Sequence, residues 1–312
     1  MSFRKIASAF GIAALTLTAS AYPGLAQDKP KLGVLIYNVG QDPWLSVAVK
    51  SFEEKGAEMG FDVTVVDGRN DISQMNAAID QFRIQQVDAI IVQPADPDSL
   101  VGTVKQATDA GIPVIAYSHK IADGSGAKAN VGADEVAMGK AQAELVVKAL
   151  NGTGNVALMT GILGTSPQIG RTEGQRAIFD ATPGIKVVEE QANDWQHDKT
   201  VALIQGWLSK YPKGELNAVV AQGPELVAAA EYAKSQGRDE VLFVALDYPA
   251  DARRAIQEGT LYATINQSPA TMAEVALKTI QDILAGKTVE KAIRIDTPVI
   301  TKENVEQVPA AY

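Results

Sequence analysis

Short β-branched runs alternate with longer amphipathic stretches along this chain, and the alternation is played out twice, which restricts the fold to helices packed on parallel sheets. In the first round Leu32 to Tyr37, Val63 to Val66, Ala89 to Val92 and Val114 to Tyr117 read as buried strands. Ser46 to Met59, Gln74 to Gln85 and Leu100 to Ala110 carry helical spacing, with Gly60 and Gly111 as stops. A second round begins after Asp134, with strands at Val156 to Thr160, Lys186 to Glu189, Ala218 to Ala221 and Val241 to Leu246. Its helices fall at Arg171 to Ala181, Lys199 to Tyr211 and Leu226 to Ser235. Leu261 to Gln267 reads as a further strand, Ala270 to Leu284 as a helix and Ala292 to Ile300 as an extended segment, and periodicity does not say which round these join. Two open α/β sheets leave a cleft between them, and ligands bind such sheets at the carboxyl ends of parallel strands.

The amino terminus is predicted to be an export signal over residues 1–26. Arg4 and Lys5 precede an uncharged run from Ile6 to Ala21, and the small residues Gly24 and Ala26 suit a peptidase, with Ala21 as the alternative cleavage point. The run is shorter than the ~20 apolar residues that span a bilayer. Cleavage after Ala26 would leave 26 basic residues against 37 acidic ones, a net charge of −11. That balance argues against nucleic acid as a partner. The chain has no cysteine, so an exported form would rely on its cores and not on disulfides, and no lipid anchor at a cleavage-point cysteine is available. A soluble monomer diffusing in a bacterial periplasm is the expectation.

Taken in order, Tyr37-Asn38-Val39-Gly40-Gln41-Asp42-Pro43-Trp44, Val87 to Asp96, Ala110 to Ile115, Gly164-Thr165-Ser166, Arg171-Thr172-Glu173-Gly174, Asn217 to Gln222, Leu246-Asp247 and Ala263 to Gln267 resemble the periplasmic sugar-binding proteins of the ribose-binding type. The likeness runs through essentially all of the chain beyond the signal. It implies a type I periplasmic binding protein: two Rossmann-like lobes joined by three crossings near Asp134, after Gln267 and near Pro298. The lobes would comprise residues 27–133 plus 268–297 and residues 134–267 plus 298–312. It also implies hinge closure on a small neutral sugar or polyol, and delivery of that solute to the permease of an ABC importer.

Trp44 and Trp195 each follow a strand end, where an indole can stack on the C–H face of a sugar; core packing is the alternative. Asp42, Asp247 and Gln267 match ligand-binding positions of the family and suit hydroxyl recognition. The other expected readings are a turn residue before Pro43 for Asp42 and a strand-end cap for Asp247. Three matched positions depart from the ribose-binding pattern. An acidic residue and an arginine give way to Ser118 and His119, a second arginine falls at Ile169 and an asparagine at Gly223, which puts ribose itself in doubt. Arg171 is either a cleft residue or a surface ion-pair partner.

His119 and His197, the only histidines, do not sit in metal-ligand spacing, so no metal is expected. The glycines of Gly161 to Ser166 lack the lysine and spacing of a phosphate loop, and no cofactor motif or catalytic constellation stands out. An export signal occupies the place where a repressor would carry its DNA-binding helices. A ligand-binding component for a chemoreceptor or sensor kinase, or a binder of a non-sugar solute, remains the alternative. Exposed contacts with a partner are expected near Asn70, Asp71 and Lys128.

Overall fold

The computed structural model describes Met1, residues 28–40 and residues 42–312. The expected export signal and its cleavage point lie, Met1 apart, outside the described residues. The first round of the alternation forms β1 (Lys31–Ile36), α1 (Pro43–Glu58), β2 (Asp62–Asp67), α2 (Ile72–Ile84), β3 (Ala89–Val92), α3 (Val101–Asp109), β4 (Val114–Tyr117) and β5 (Ala129–Gly132). The second forms α4 (Glu135–Ala149), β6 (Gly154–Thr160), α5 (Ser166–Phe179), β7 (Ile185–Ala192), α6 (His197–Lys210), β8 (Ala218–Ala221), α7 (Leu226–Ser235), β9 (Leu242–Val244), α8 (Ala250–Gln257) and β10 (Ala263–Ile265). The chain ends with α9 (Pro269–Leu284), β11 (Ala292–Arg294) and β12 (Val299–Thr301).

The first sheet has the order β11-β5-β4-β3-β1-β2 and is parallel throughout. The second has the order β12-β10-β9-β8-β6-β7 and is parallel except for β12, which runs antiparallel to β10 at the edge. In β3, β4 and β8 every residue is buried, the mark of strands covered by helices on both faces. Helix α9 follows β10 of the second sheet yet packs on α1, and Met272, Ala273, Ala276, Leu277 and Ile280 join the core of the first sheet. The extended run at Ala292 to Ile300 divides: β11 pairs with β5, and β12 pairs with β10. Three connections therefore link the sheets, and Ala133, Met138, Leu246 and Ile265 form a small apolar cluster beside them.

Helix starts follow their capping residues. The Asp42 carboxylate accepts from Leu45 N–H at 3.0 Å, so α1 opens at Pro43, three residues before the spacing suggests. Thr165 caps α5 with Pro167 in its first turn, which starts that helix five residues earlier than its apolar spacing predicts. Asp71 is the cap of α2, accepting from Ser73 and Gln74 N–H, and Lys128 precedes β5 at the end of the sheet opposite Asn70. The three residues named as places for partner contacts thus lie at two ends of the first sheet, Asn70 and Asp71 at one and Lys128 at the other.

Helices α4 and α5 make the closest helix contact of the second lobe. A Cβ on Gly139 would lie 2.1 Å from the Arg171 carbonyl oxygen, one on Gly170 2.7 Å from the Glu135 Cβ, and one on Gly174 2.1 Å from the Val136 carbonyl oxygen. Glycine at these three positions lets the two backbones touch, and the contact delivers Arg171 to Glu135.

Candidate functional site

A cavity of about 1010 Å³ opens between the two sheets. Its wall is assembled from residues just past the carboxyl ends of strands, where sheets of this class bind their ligands. The first lobe supplies Tyr37 after β1, Asp42 and Trp44 at the start of α1, Gln93 after β3, and Ser118 and His119 after β4. The second supplies Pro167 and Arg171 on α5, Trp195 after β7, Glu225 after β8, Asp247 after β9 and Gln267 after β10.

Of the residues singled out in the sequence, Asp42, Trp44, Ser118, His119, Trp195, Asp247 and Gln267 are brought together in this wall. Ile169 and Gly223 are not, and both expectations are corrected. On α5 the inward side is marked by Pro167 and Arg171, four residues apart, which leaves Ile169 between them on the outward side and 50% exposed. Gly223 lies behind the wall: a Cβ there would come within 2.8 Å of the Trp195 ring and 2.3 Å of the Glu225 carboxylate. Gly161, across the same indole, would put a Cβ 2.2 Å from it. Trp195 therefore occupies a slot kept open by two glycines at the ends of β6 and β8. Its Nε1–H donates to the Gln222 carbonyl at 3.1 Å, and its N–H donates to the Asn193 side chain at 3.0 Å.

Arg171 is a buried cleft residue. It donates to Glu135 at 2.7 Å, to the Gln222 carbonyl at 2.7 Å and to Gln267 Oε1 at 2.9 Å, so its charge and three of its donors are committed inside the protein. Beneath it the side chain of Gln222 donates to Thr172 and Gln175, Gln175 donates to Gln142, and Gln142 donates to the carbonyls of Ala221 and Ala245. This amide chain satisfies strand-end carbonyls that burial would otherwise leave unpaired. Trp44 serves both as core and as wall: its ring packs among the first lobe's apolar residues, and its Nε1–H donates to the Gln267 carbonyl at 2.9 Å.

His119 Nδ1 stands 2.7 Å from the Pro94 carbonyl, so the neutral ring carries its proton there and Nε2 is left as an acceptor. Burial pushes its pKa down to about 4, outweighing the Pro94 bond, and the Arg171 charge pushes the same way. The ring stacks on Tyr37 at 5.1 Å and stands 6.5 Å from Trp195, so it touches both lobes. On the acidic side, burial lifts Glu225 to about 7 despite a bond from Asn193 at 2.5 Å. Burial also holds Asp247 well above the usual carboxylate range, with Asp42 and Glu225 adding repulsion against the opposing Arg171. Asp247 does not cap α8; its Oδ1 is buried without a hydrogen-bond partner, as is Gln93 Oε1.

Ser118, Trp195 and Asp247 all have left-handed backbones, with φ of 57°, 55° and 68°. Such conformations cost energy for residues other than glycine and gather at functional sites. Sequence reasoning passed over Tyr37, Gln93, Glu225 and Tyr312 as wall residues and left Arg171 open. Tyr37 and Gln93 directly follow strands and were accessible to the strand-end rule; nothing in the sequence points to Tyr312. His197 begins α6, exposed at the rim. Among the described residues no group of three or more His, Cys, Asp or Glu is placed to hold a metal ion.

Residues 32–288 match the family of periplasmic binding protein domains. A xylitol-binding protein of Mycolicibacterium smegmatis is 28% identical over 302 residues, covering 96% of this chain and 85% of that protein. The ribose import binding protein of Escherichia coli is 28% identical over 306 residues, covering 97% of this chain and all 100% of its own length. Among solved structures, an ABC transporter solute-binding protein from Bacillus halodurans with bound myo-inositol superposes with a TM-score of 0.84 at 32% identity, covering 92% of this chain and 100% of that one. With two such sheets facing one cleft, the chain belongs to the periplasmic binding protein family, among the sugar-binding proteins of the ribose type.

Proposed function

We propose that this protein is the substrate-binding component of an ABC importer and captures a small sugar or sugar alcohol by closing its lobes around the cleft. The observation that carries the reading is the make-up of the wall: an indole plane at Trp195 beside fixed polar groups contributed by strand ends of both sheets. Flat apolar rings suit the C–H face of a polyol, and acceptors such as Asp247, Gln93 and the His119 Nε2 suit its hydroxyls. Asp42, Trp44, Ser118 and Gln267 complete the proposed contact set. The similar xylitol-binding and ribose import binding proteins, and the similar solute-binding protein with bound myo-inositol, support this solute class.

The two lobes are taken as residues 27–133 with 268–297 and residues 134–267 with 298–312, which agrees with the sheet to which each strand belongs. Residues 1–26 direct export, and the mature chain acts in the periplasm as a monomer, with the permease of an inner-membrane importer as its protein partner. It binds and releases its solute without chemical change. Among the described residues no helix is long and apolar enough to cross a membrane.

A thermal-shift screen of the purified mature protein against pentoses, hexoses, pentitols and inositols tests this, because a solute bound only by the folded state raises the melting temperature. A shift confined to one stereochemical group is the expected result. No shift with any sugar or polyol would overturn the solute class.

A further inference from the structure

We propose that the solute held in this cleft carries a protonated amine beside its hydroxyl groups, and that Asp247, assisted by Asp42, receives the ammonium. This rests on the sugar-or-polyol reading of the cleft and narrows it. The starting point is the charge in the wall. Asp42, Glu225 and Asp247 line the cavity, and the one guanidinium among them, Arg171, is already matched by Glu135 at 2.7 Å and by two further acceptors. His119, the remaining base at that depth, is held neutral by burial, with Nδ1 against the Pro94 carbonyl. At the rim Arg254 pairs with Glu231 at 3.1 Å and shares the wall with Asp198 and Asp251. Carboxyl groups in the wall outnumber guanidinium groups, with Asp42, Asp198, Glu225, Asp247 and Asp251 set against Arg171 and Arg254.

The unpaired atoms point the same way. Asp247 Oδ1 and Gln93 Oε1 are buried acceptors without partners, on residues only 8% and 1% exposed, and both residues line the cavity. The phenol groups of Tyr37 and Tyr312 face the same carboxylates, and burial together with that negative charge raises the pKa of each, so they remain protonated and add no charge; the Tyr312 hydroxyl is also buried without a partner and is the one donor among the unpaired wall atoms of the described residues, against two acceptors. A hydroxyl offers one proton to such acceptors; an ammonium offers three and a full positive charge, making the stronger charge-assisted bonds. A metal cation is the poorer fit, since among the described residues no three ligating side chains converge. In the empty cleft the surplus is relieved by protons retained on Asp247 and Glu225, whose pKa values are raised. A bound ammonium would replace those protons.

Matched pairs test the inference in the full mature chain: myo-inositol, xylitol and ribose, each against its counterpart with one hydroxyl replaced by an amine. Titration calorimetry near a pH of about 6.5, where a primary amine on the ligand is protonated and Glu225, raised to about 7, still largely holds its proton, should be run in two buffers of unequal ionisation enthalpy. The amine member of the recognised pair should bind roughly tenfold or more tightly than its neutral partner and should release protons on binding. Asp247→Asn and Asp42→Asn should each shrink that preference. Asn tolerates the left-handed backbone at 247 and caps α1 as well as Asp does at 42, so both variants should fold. Equal or tighter binding of the neutral members would overturn the amine and leave the sugar-or-polyol reading in place. Variants that weaken both members of a pair by the same factor would likewise remove the role of the charge. Binding of no member of any pair would overturn the sugar-or-polyol reading itself.

Discussion

At the scale of residues, Trp195 is the cleanest test of the cleft. It is partly exposed in the cavity wall and seated between Gly161 and Gly223, so removing its ring takes a stacking surface from the solute without opening a sheet core. Trp195→Ala should weaken solute binding by roughly tenfold or more while the melting temperature of the empty protein changes little, and unchanged affinity in a titration would remove the indole from the site. The same wall makes a prediction about pH. His119 is depressed in the folded protein to about 4 from an ordinary value near 6.5, so it contributes stability above the unfolded pKa that is lost as pH falls toward 4. Glu225 is raised to about 7 from about 4.5, so its contribution is present at low pH and is lost as pH rises through 7. The two oppose each other between those limits. His119→Gln should therefore gain stability relative to the parent on acidification from about pH 6.5 to 4, and Glu225→Gln should lose it from about pH 7 to 4.5. Denaturation midpoints across that range decide the matter, and parallel curves for parent and variants would refute the burial account. These residues also show what the sequence could tell. Asp42, His119, Asp247 and Gln267 were reached by matching the family's pattern, and for Asp247 and Gln267, as for Trp44 and Trp195, a place past a strand end supported the reading. Ile169 and Gly223 were chosen by matching positions in another protein's pattern, and the helical turn of α5 together with the bulk of Trp195 decided otherwise.

At the scale of elements, the contact between α4 and α5 deserves a direct test because it sets the position of Arg171. Gly139→Ala or Gly174→Ala would press a methyl group against backbone carbonyl oxygens that have little freedom to move. We expect a net loss of about 1–3 kcal/mol from overpacking, set against the ~1 kcal/mol that alanine gains over glycine in a helix. Gly206, in α6, has no atom within 4 Å of the added methyl, so Gly206→Ala should instead raise stability by about 0.5–1 kcal/mol. Urea denaturation of the three variants would read both signs, and stabilisation at Gly139 would mean that the helices do not touch. Helix α4 escaped the periodicity analysis for a related reason: its small residues pack closely on α5 and its apolar residues are not confined to one stripe. The strands of both sheets were legible, because β3, β4 and β8 are short apolar runs covered on both faces. The segment from Ala292 to Ile300 was seen as extended but not as divided, since which sheet an edge strand joins is settled by contacts far away in sequence.

At the scale of the whole molecule, the lobes are joined by three connections and meet again across the mouth of the cleft. The backbone N–H of Lys120, in the first lobe, donates to Ser166 Oγ in the second at 2.7 Å, and Ile162 from the second lobe packs against the core of the first. None of these three residues lines the cavity, so both contacts belong to closure and not to the solute. A solute that binds only the closed form must supply the free energy of closing, and its apparent affinity falls with the fraction of molecules that can close. Ser166→Ala removes the acceptor for Lys120 while Thr165 still caps α5. An exposed hydrogen bond of this kind is worth about 0.5–1.5 kcal/mol, which corresponds to a loss of roughly two- to tenfold in affinity. The loss should appear although no solute contact has been touched, and the melting temperature of the empty protein should stay near that of the parent. Unchanged affinity in the Ser166→Ala variant would mean that this contact does not bias closure, and the coupling between binding and closing would then have to lie in the three connections themselves.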